Sequence, residues 1–258
     1  MSAWTVRFLS LLLFALPLAS WGQEAPSEAP DWTIDNTRWT GPLLPETAID
    51  VRNPYGDVRL RAADGGEVEV SAQIQRRTND PARAELKIDR RRGRLRIEVA
   101  YPMAPRGDLH RVDIAVFVPA GARIAVRTRD GMIQARGLEN DVELASTGGN
   151  VTLSTSGTAR VSAGRGNISA ELQRDAWGRP PRLKTREGDI TLTLPEDADA
   201  KVRVRAGEDI ALRRTGRVDL LTPRKAVFTL GKGTHPVSLK SERGRVILLA
   251  PLMLSEDD

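Results

Sequence analysis

The 258-residue chain has no cysteine. That single absence removes disulfides, thiol catalysis and thiolate metal sites together, along with the lipobox cysteine by which a bacterial lipoprotein is anchored. Aromatic residues are scarce, at 4%, which suits a thin, aliphatic-cored β-structure better than a large globular enzyme. No stretch carries the apolar period of an amphipathic helix of useful length. Without a helix there is no strand–loop–helix phosphate cradle. Neither a Gly-x-Ser-x-Gly elbow nor a serine–lysine motif stands out. The two histidines, His110 and His235, respectively follow a loop and precede a proline. Both are expected as exposed strand-end residues rather than bases. No catalytic constellation, cofactor or metal is expected, and the chain reads as non-enzymatic.

In place of catalytic motifs there is a repeated phrase: an apolar residue, any residue, a small one, two of any kind, Gly, usually Asx, then Val or Ile. Val51 to Leu60 is the first copy, and copies starting at Val126, Leu144, Val161, Leu183 and Leu239 keep the register. In each copy the Gly (Gly56, Gly131, Gly149, Gly166, Gly188, Gly244) sits five residues after the first apolar residue, and the Val or Ile seven after it. Val202 to Leu212 is a looser copy, one residue out of register, with Gly207-Glu208-Asp209-Ile210 at its turn. Leu220 to Thr229 fits with Lys225 in the Gly place. From Val126 on, the copies are spaced by 17 to 22 residues, a period that reads as a stacked repeat.

Alternating apolar residues before and after the Gly make two short strands, each with one inward face. The Gly-Asx pair between them is a turn signal, because Gly tolerates positive φ and Asx side chains bond nearby backbone. One copy cannot bury its apolar face alone. Stacked copies would align Val126, Leu144, Val161 and Leu183 in one ladder, and Ile133, Val151, Ile168, Ile190, Ile210 and Val246 in another. Each rung would add about 4.8 Å. The expected fold class is all-β, a β-solenoid-like stack of two-strand repeats with Gly-Asx turns; the alternative is an antiparallel β-sandwich or meander whose turns resemble one another. The Asx column (Asp57, Asn150, Asn167, Asp189, Asp209) could in principle chelate Ca²⁺. It lacks the Gly-Gly-x-Gly-x-Asp pattern of calcium solenoids, and Met132 and Arg245 interrupt it. Turn bonding is the preferred role.

Residues 1–22 read as a secretory signal, with Arg7, the apolar run Phe8 to Leu18, and small Ser20 and Gly22 before cleavage at Gln23. The run is short for a membrane span; an uncleaved anchor is the other reading. No other segment approaches a span. Residues 23–45 read as a disordered leader and cap, with Asp31 to Pro45 as a loose cap or edge strand. Residues 46–254 read as a single β-repeat domain, with Asp175 to Pro181 inserted between rungs, and 255–258 as an acidic tail.

The formal net charge of +5 is unevenly placed: Arg76 to Arg96 holds nine basic residues against three acidic, and Lys201 to Lys225 eight against three. An exported basic surface would meet anionic lipid, lipopolysaccharide or other polyanions. Glu85 to Tyr101 reads as a hairpin turning near Arg92-Gly93, which sets Arg94 and Arg96 on one face and Leu95 and Ile97 on the other. Arg90, Arg91, Arg92, Arg94 and Arg96 are the candidate anion-binding patch; the plainer role is a charged, solvated edge. No aromatic residue interleaves with them, which argues against stacking on nucleic-acid bases.

The run Val116-Phe117-Val118-Pro119-Ala120-Gly121, followed by Thr128-Arg129-Asp130-Gly131 and the serial Gly-Asn-Val and Gly-Asp-Ile turns, resembles the bacterial "putative adhesin" family of toastrack type, a domain of unknown function. Asn53-Pro54-Tyr55-Gly56-Asp57-Val58 is similar to that family's first repeat, and the resemblance covers roughly Ala48 to Ala250. It implies an all-β stack in an extracytoplasmic, often envelope-associated setting, periplasmic or extracellular, and supplies no catalytic residues. The expected function is an exported binding or scaffold protein of the cell envelope, with an anionic envelope component or a membrane protein as partner. The alternatives are an envelope-stress accessory protein on a membrane partner and a polysaccharide-acting enzyme.

Overall fold

The computed structural model describes residues 32–44, 47–78, 83–101, 110–174, 176–214, 217–221 and 224–249. The signal-like segment, residues 23–31 of the leader, the 102–109 loop and the acidic tail lie outside these residues. All the elements described are strands. Fourteen of them form seven rungs, each a strand of a ten-stranded sheet followed, through a turn, by a strand of an eleven-stranded sheet. The rungs are β2 (Ala48–Tyr55) with β3 (Val58–Ala62), β8 (Arg123–Asp130) with β9 (Ile133–Leu138), β10 (Val142–Gly148) with β11 (Val151–Thr155), β12 (Ala159–Arg165) with β13 (Ile168–Leu172), β14 (Arg182–Glu187) with β15 (Ile190–Thr193), β16 (Ala200–Arg205) with β17 (Ile210–Arg214), and β20 (His235–Arg243) with β21 (Val246–Leu249). Neighbouring rungs pair in parallel in both sheets. Sequence-consecutive strands of a rung therefore sit in different sheets, which excludes an antiparallel meander for this part of the chain.

The ends are built differently. β1 (Trp32–Pro42), β4 (Glu67–Arg77) and β7 (His110–Val118) extend the eleven-stranded sheet beyond β3. β5 (Glu85–Arg91) and β6 (Arg94–Ala100) extend the ten-stranded sheet beyond β2. At the far end β18 (Arg217–Leu221) and β19 (Lys225–Leu230) run antiparallel to β17 and β16. Leu220 to Thr229 is thus a pair of capping strands rather than a rung, and Lys225 opens β19 instead of filling a turn. The segment read as loose cap or edge strand, Asp31 to Pro45, contains β1, an edge strand on β4.

Both expected ladders exist. Val51, Val126, Leu144, Val161, Leu183 and Leu239 are register partners along one sheet, each at most 3% exposed. Ile133, Val151, Ile168, Ile190, Val246 and Ile210 align along the other. β-Branched side chains suit these pleated, buried surfaces. Facing sheets lie only about 10 Å apart, room for aliphatic layers. The aromatic residues packed on the core, including Trp39, Tyr101, Trp177 and Phe228, are only partly buried. The shortage of aromatics follows from that geometry.

Among the rungs, spatial order departs from sequence order at one place. The last regular copy, β20 with β21, inserts between β14 with β15 and the looser copy β16 with β17. In that looser copy Val204, not Val202, is the partner of Leu239. Its Ile210 partners Val246, so the stretch between its two ladder positions, Val204 and Ile210, is one residue shorter than that between Leu239 and Val246. His110 also departs from expectation: it is 7% exposed, its ring edge-on to Tyr101 with centroids 6.3 Å apart. His235 is half-buried and meets Trp177 edge-on, again at 6.3 Å.

The turn corner explains the repeated phrase residue by residue. Gly131, Gly149, Gly166, Gly188 and Gly244 each face the carbonyl of the turn glycine one rung below, so that a Cβ on Gly166 would lie 2.2 Å from the Gly149 oxygen, while Gly56 faces the Val112 carbonyl of β7. The small position is an inward hydroxyl in four rungs (Thr128, Ser146, Thr185, Ser241), and in three of them it caps the same carbonyls: Ser146, Thr185 and Ser241 donate to Gly131, Gly166 and Gly188 at 3.3, 2.9 and 2.8 Å. Asx side chains bind the next rung's amide. Asn167 N–H donates to Asn150 Oδ1, Asp189 N–H to Asn167 Oδ1 and Arg245 N–H to Asp189 Oδ1, each at 2.8 Å. The Asx oxygens are thereby used between rungs, in the turn-bonding role.

Candidate functional site

Along a strand, alternate residues point away from the core, so each sheet has an outer face set by the residues between the ladder positions. On the eleven-stranded sheet these are mixed: Gln134, Thr152, Ser169 and Thr191 are aligned neutral neighbours, flanked by Arg59 beside Gln134, Arg61 beside Arg136, and Glu171 beside Ser154. On the ten-stranded sheet they are basic. Lys184, Lys240, Arg205 and Lys225 are aligned neighbours on four adjacent strands. Glu242 answers part of this charge, 3.2 Å from Lys184 and 3.0 Å from Lys240. Hydrogen bonds from those two lysines hold its carboxyl below the usual carboxylate range.

The other half of the same face carries an open trough of about 540 Å³ across β6, β2, β8, β10 and β12. Ala48 and Ala125 keep its middle low, while Arg94, Arg123 and Arg160 line it from the strands and Arg179 from the 173–181 connection. Beneath them Asp50 is 6% exposed. It draws Arg52 to 3.2 Å, Arg127 to 3.3 Å and Arg96 to 3.8 Å. Arg127 also reaches Glu143 at 3.3 Å, and Asp141 accepts the Thr158 amide at 2.8 Å. Arg94, Arg123, Arg160 and Arg179 have no ion pair among the described residues. Four guanidinium groups thus remain available around one concavity.

The arginines singled out from the sequence separate into three environments. Arg94 and Arg96 do share the outer face, and they lie on β6, which has β5 on one side and β2 on the other. Edge protection therefore does not account for them. Arg91 shares their face on the edge strand β5 and is held by Asp89 at 2.8 Å. Arg92 is at the exposed hairpin turn. Arg90 alternates to the inner side, where its guanidinium lies 5.3 Å from the centre of the Trp39 ring. That contact joins the edge strands β1 and β5, and such cation–π pairs stabilise by about 0.5–1 kcal/mol at exposed sites. Arg123, Arg127, Arg160 and Arg179 were not singled out, since they are scattered one per strand or loop. The signal for the first three was the residue between ladder positions, readable once the strands are assigned to sheets.

Gly-Asx rungs stacked in parallel between two sheets define a toastrack-type protein. The chain belongs to the Toastrack DUF4097 family, whose match spans residues 52–209, from β2 to the turn before β17. Among solved structures, a putative cell adhesion protein from Clostridium sporogenes is 11% identical, with 85% of this chain and 100% of that one covered at a TM-score of 0.47. A putative adhesin from Bacteroides fragilis is 13% identical, with 83% and 97% covered and a TM-score of 0.30. One from Parabacteroides distasonis is 10% identical, with 84% and 97% covered and a TM-score of 0.33. No curated protein matches the chain.

Proposed function

We propose that the chain is an exported, non-enzymatic binding or scaffold protein of the bacterial cell envelope, adhesin-like, which engages an anionic partner through the outer face of its ten-stranded sheet. The observation that carries this reading is the contrast between the two outer faces of one stack: one mixed, with a neutral row at its centre, and the other dominated by basic residues. A general need for solubility would not distribute charge so unequally. In the trough, Asp50 and Glu143 hold Arg127, and Asp141 holds a backbone amide, an arrangement that positions cations rather than a general acid–base pair.

Binding to phosphatidylglycerol vesicles, phosphatidylcholine vesicles and lipopolysaccharide at low and physiological salt tests it. Anionic targets should bind, and binding should weaken with salt. Arg94→Glu should lower vesicle binding by roughly tenfold or more, on the order of 1 kcal/mol per unit charge near an anionic surface. Arg96→Glu should lower it less, since Arg96 is already committed toward Asp50. No anionic preference at low salt would reduce the face to a solvated surface.

Export is part of the same proposal. Cell fractionation with N-terminal sequencing should recover a chain beginning near Gln23 outside the cytoplasm. A full-length cytosolic chain would end it.

A further inference from the structure

We infer that the arginine trough is a discrete site for a saccharide carrying two phosphate groups. This rests on the basic face being the ligand-binding face, and gives that face a defined occupant. The trough's 540 Å³ falls within the range of small-ligand sites and admits a sugar unit. Its charges are arranged in zones. Arg94 on β6 and Arg123 on β8 flank Ala48 of β2, two strand spacings or roughly 10 Å apart. Arg160, on β12, and Arg179 lie on the other side of β10. Between these basic zones β10 begins at Val142, and it brings Asp141 and Glu143 to the trough.

An extended polyphosphate or nucleic-acid backbone would place negative charge over those two carboxylates. A sugar ring would place hydroxyls there, which donate to carboxylate oxygens. Anionic ends with a hydroxyl-bearing middle therefore complement the zones. The charge total points the same way. A phosphomonoester carries about −1.5 to −2 at neutral pH, so two of them balance four guanidinium groups, whose planar forks match phosphate oxygens two at a time. A uronic sugar brings one charge per ring and would leave cations unanswered.

The insertion between rungs fits this role. The two preceding connections between rungs are short, 139–141 and 156–158, whereas the next runs from 173 to 181. It carries Arg179 to the trough, and its Trp177 is seated on His235. Asp50, buried below, fixes Arg52 and Arg127 through ion pairs, so the walls are set before any ligand arrives.

The test is calorimetric titration of the full chain with glucose 1,6-bisphosphate, glucose 6-phosphate, digalacturonate and inorganic tripolyphosphate, in parallel with the vesicle assay above. Glucose 1,6-bisphosphate should bind at one site per chain, more tightly than the other three. Arg123→Ala and Arg179→Ala should each weaken it by about tenfold or more, the loss of a charged hydrogen bond. Arg59→Ala, on the outer face of the other sheet, should leave it unchanged. Arg179 lies in an exposed connection, so its variant tests binding with the strands intact. Tripolyphosphate or digalacturonate binding as tightly as the bisphosphate would overturn the assignment, as would unchanged binding in both variants. If anionic vesicles bind and no phosphosugar does, the basic face stands and the trough site falls. If neither binds, both fall.

Discussion

Gly166→Ala is expected to destabilise the fold by about 4 kcal/mol or more, within the range where single substitutions are exceptional. Two costs combine. Gly166 has φ of +149°, a conformation that costs a residue with a Cβ about 1–3 kcal/mol. Its Cβ would also fall 2.2 Å from the Gly149 oxygen and 2.6 Å from the Gly149 carbonyl carbon. These are backbone atoms of the next rung, so no rotamer change relieves the overlap, and overpacking of this kind adds about 1–3 kcal/mol. The rungs on either side repeat the contact, with a Gly188 Cβ 2.3 Å from the Gly166 oxygen, so a displaced turn is resisted from both directions. Gly121→Ala is the control. Its φ is +78° with nothing within 4 Å of the added carbon, and it should lose only the conformational part, about 1–2 kcal/mol. Urea denaturation of the two variants separates the terms. Equal losses would mean that the turns are not stacked carbonyl-on-glycine.

The rungs were legible because one geometric demand recurs at fixed spacing. Every turn needs a residue without a Cβ beside the neighbouring carbonyl, so Gly56, Gly131, Gly149, Gly166, Gly188 and Gly244 mark the corner. Every rung needs two inward aliphatic positions flanking it. The order of the rungs was not legible. Parallel pairing is satisfied by any aliphatic neighbour, and nothing local to Ile210 says that Val246 will lie between it and Ile190. The capping strands were misread as a repeat for a related reason: Leu220 to Thr229 alternates like a rung, and alternation does not encode parallel or antiparallel partnership. His110 looked exposed because its neighbour in sequence is a Pro/Gly-rich loop, while in the fold it pairs with Arg76 on β4 and its ring meets Tyr101. In the site, Arg94 and Arg96 could be placed from the hairpin alone. The trough could not, because it collects one arginine from each of several strands and one from an insertion, and only the strand order brings them together.

Ile190→Ala should cost about 2–5 kcal/mol, the usual range for removing a large aliphatic side chain from a core, while Thr191→Ala beside it should stay within about 0.5 kcal/mol. Ile190 is 0% exposed. Its register partners are Ile168 on β13 and Val246 on β21, so the lost atoms leave a gap in a ladder continuous on both sides. Those partners belong to backbones held by parallel hydrogen bonds to further rungs, which limits how far the stack can close on the gap. Thr191 is on the opposite side of the same strand, half-buried between Ser169 and Ile247 on the outer face. Truncating it removes a methyl and a hydroxyl that solvent reaches. Chemical denaturation of the pair is a direct reading of strand register. A one-residue slip would exchange the two faces, so a larger loss for Thr191→Ala, or equal losses, would rule out the inner ladder that defines the stack.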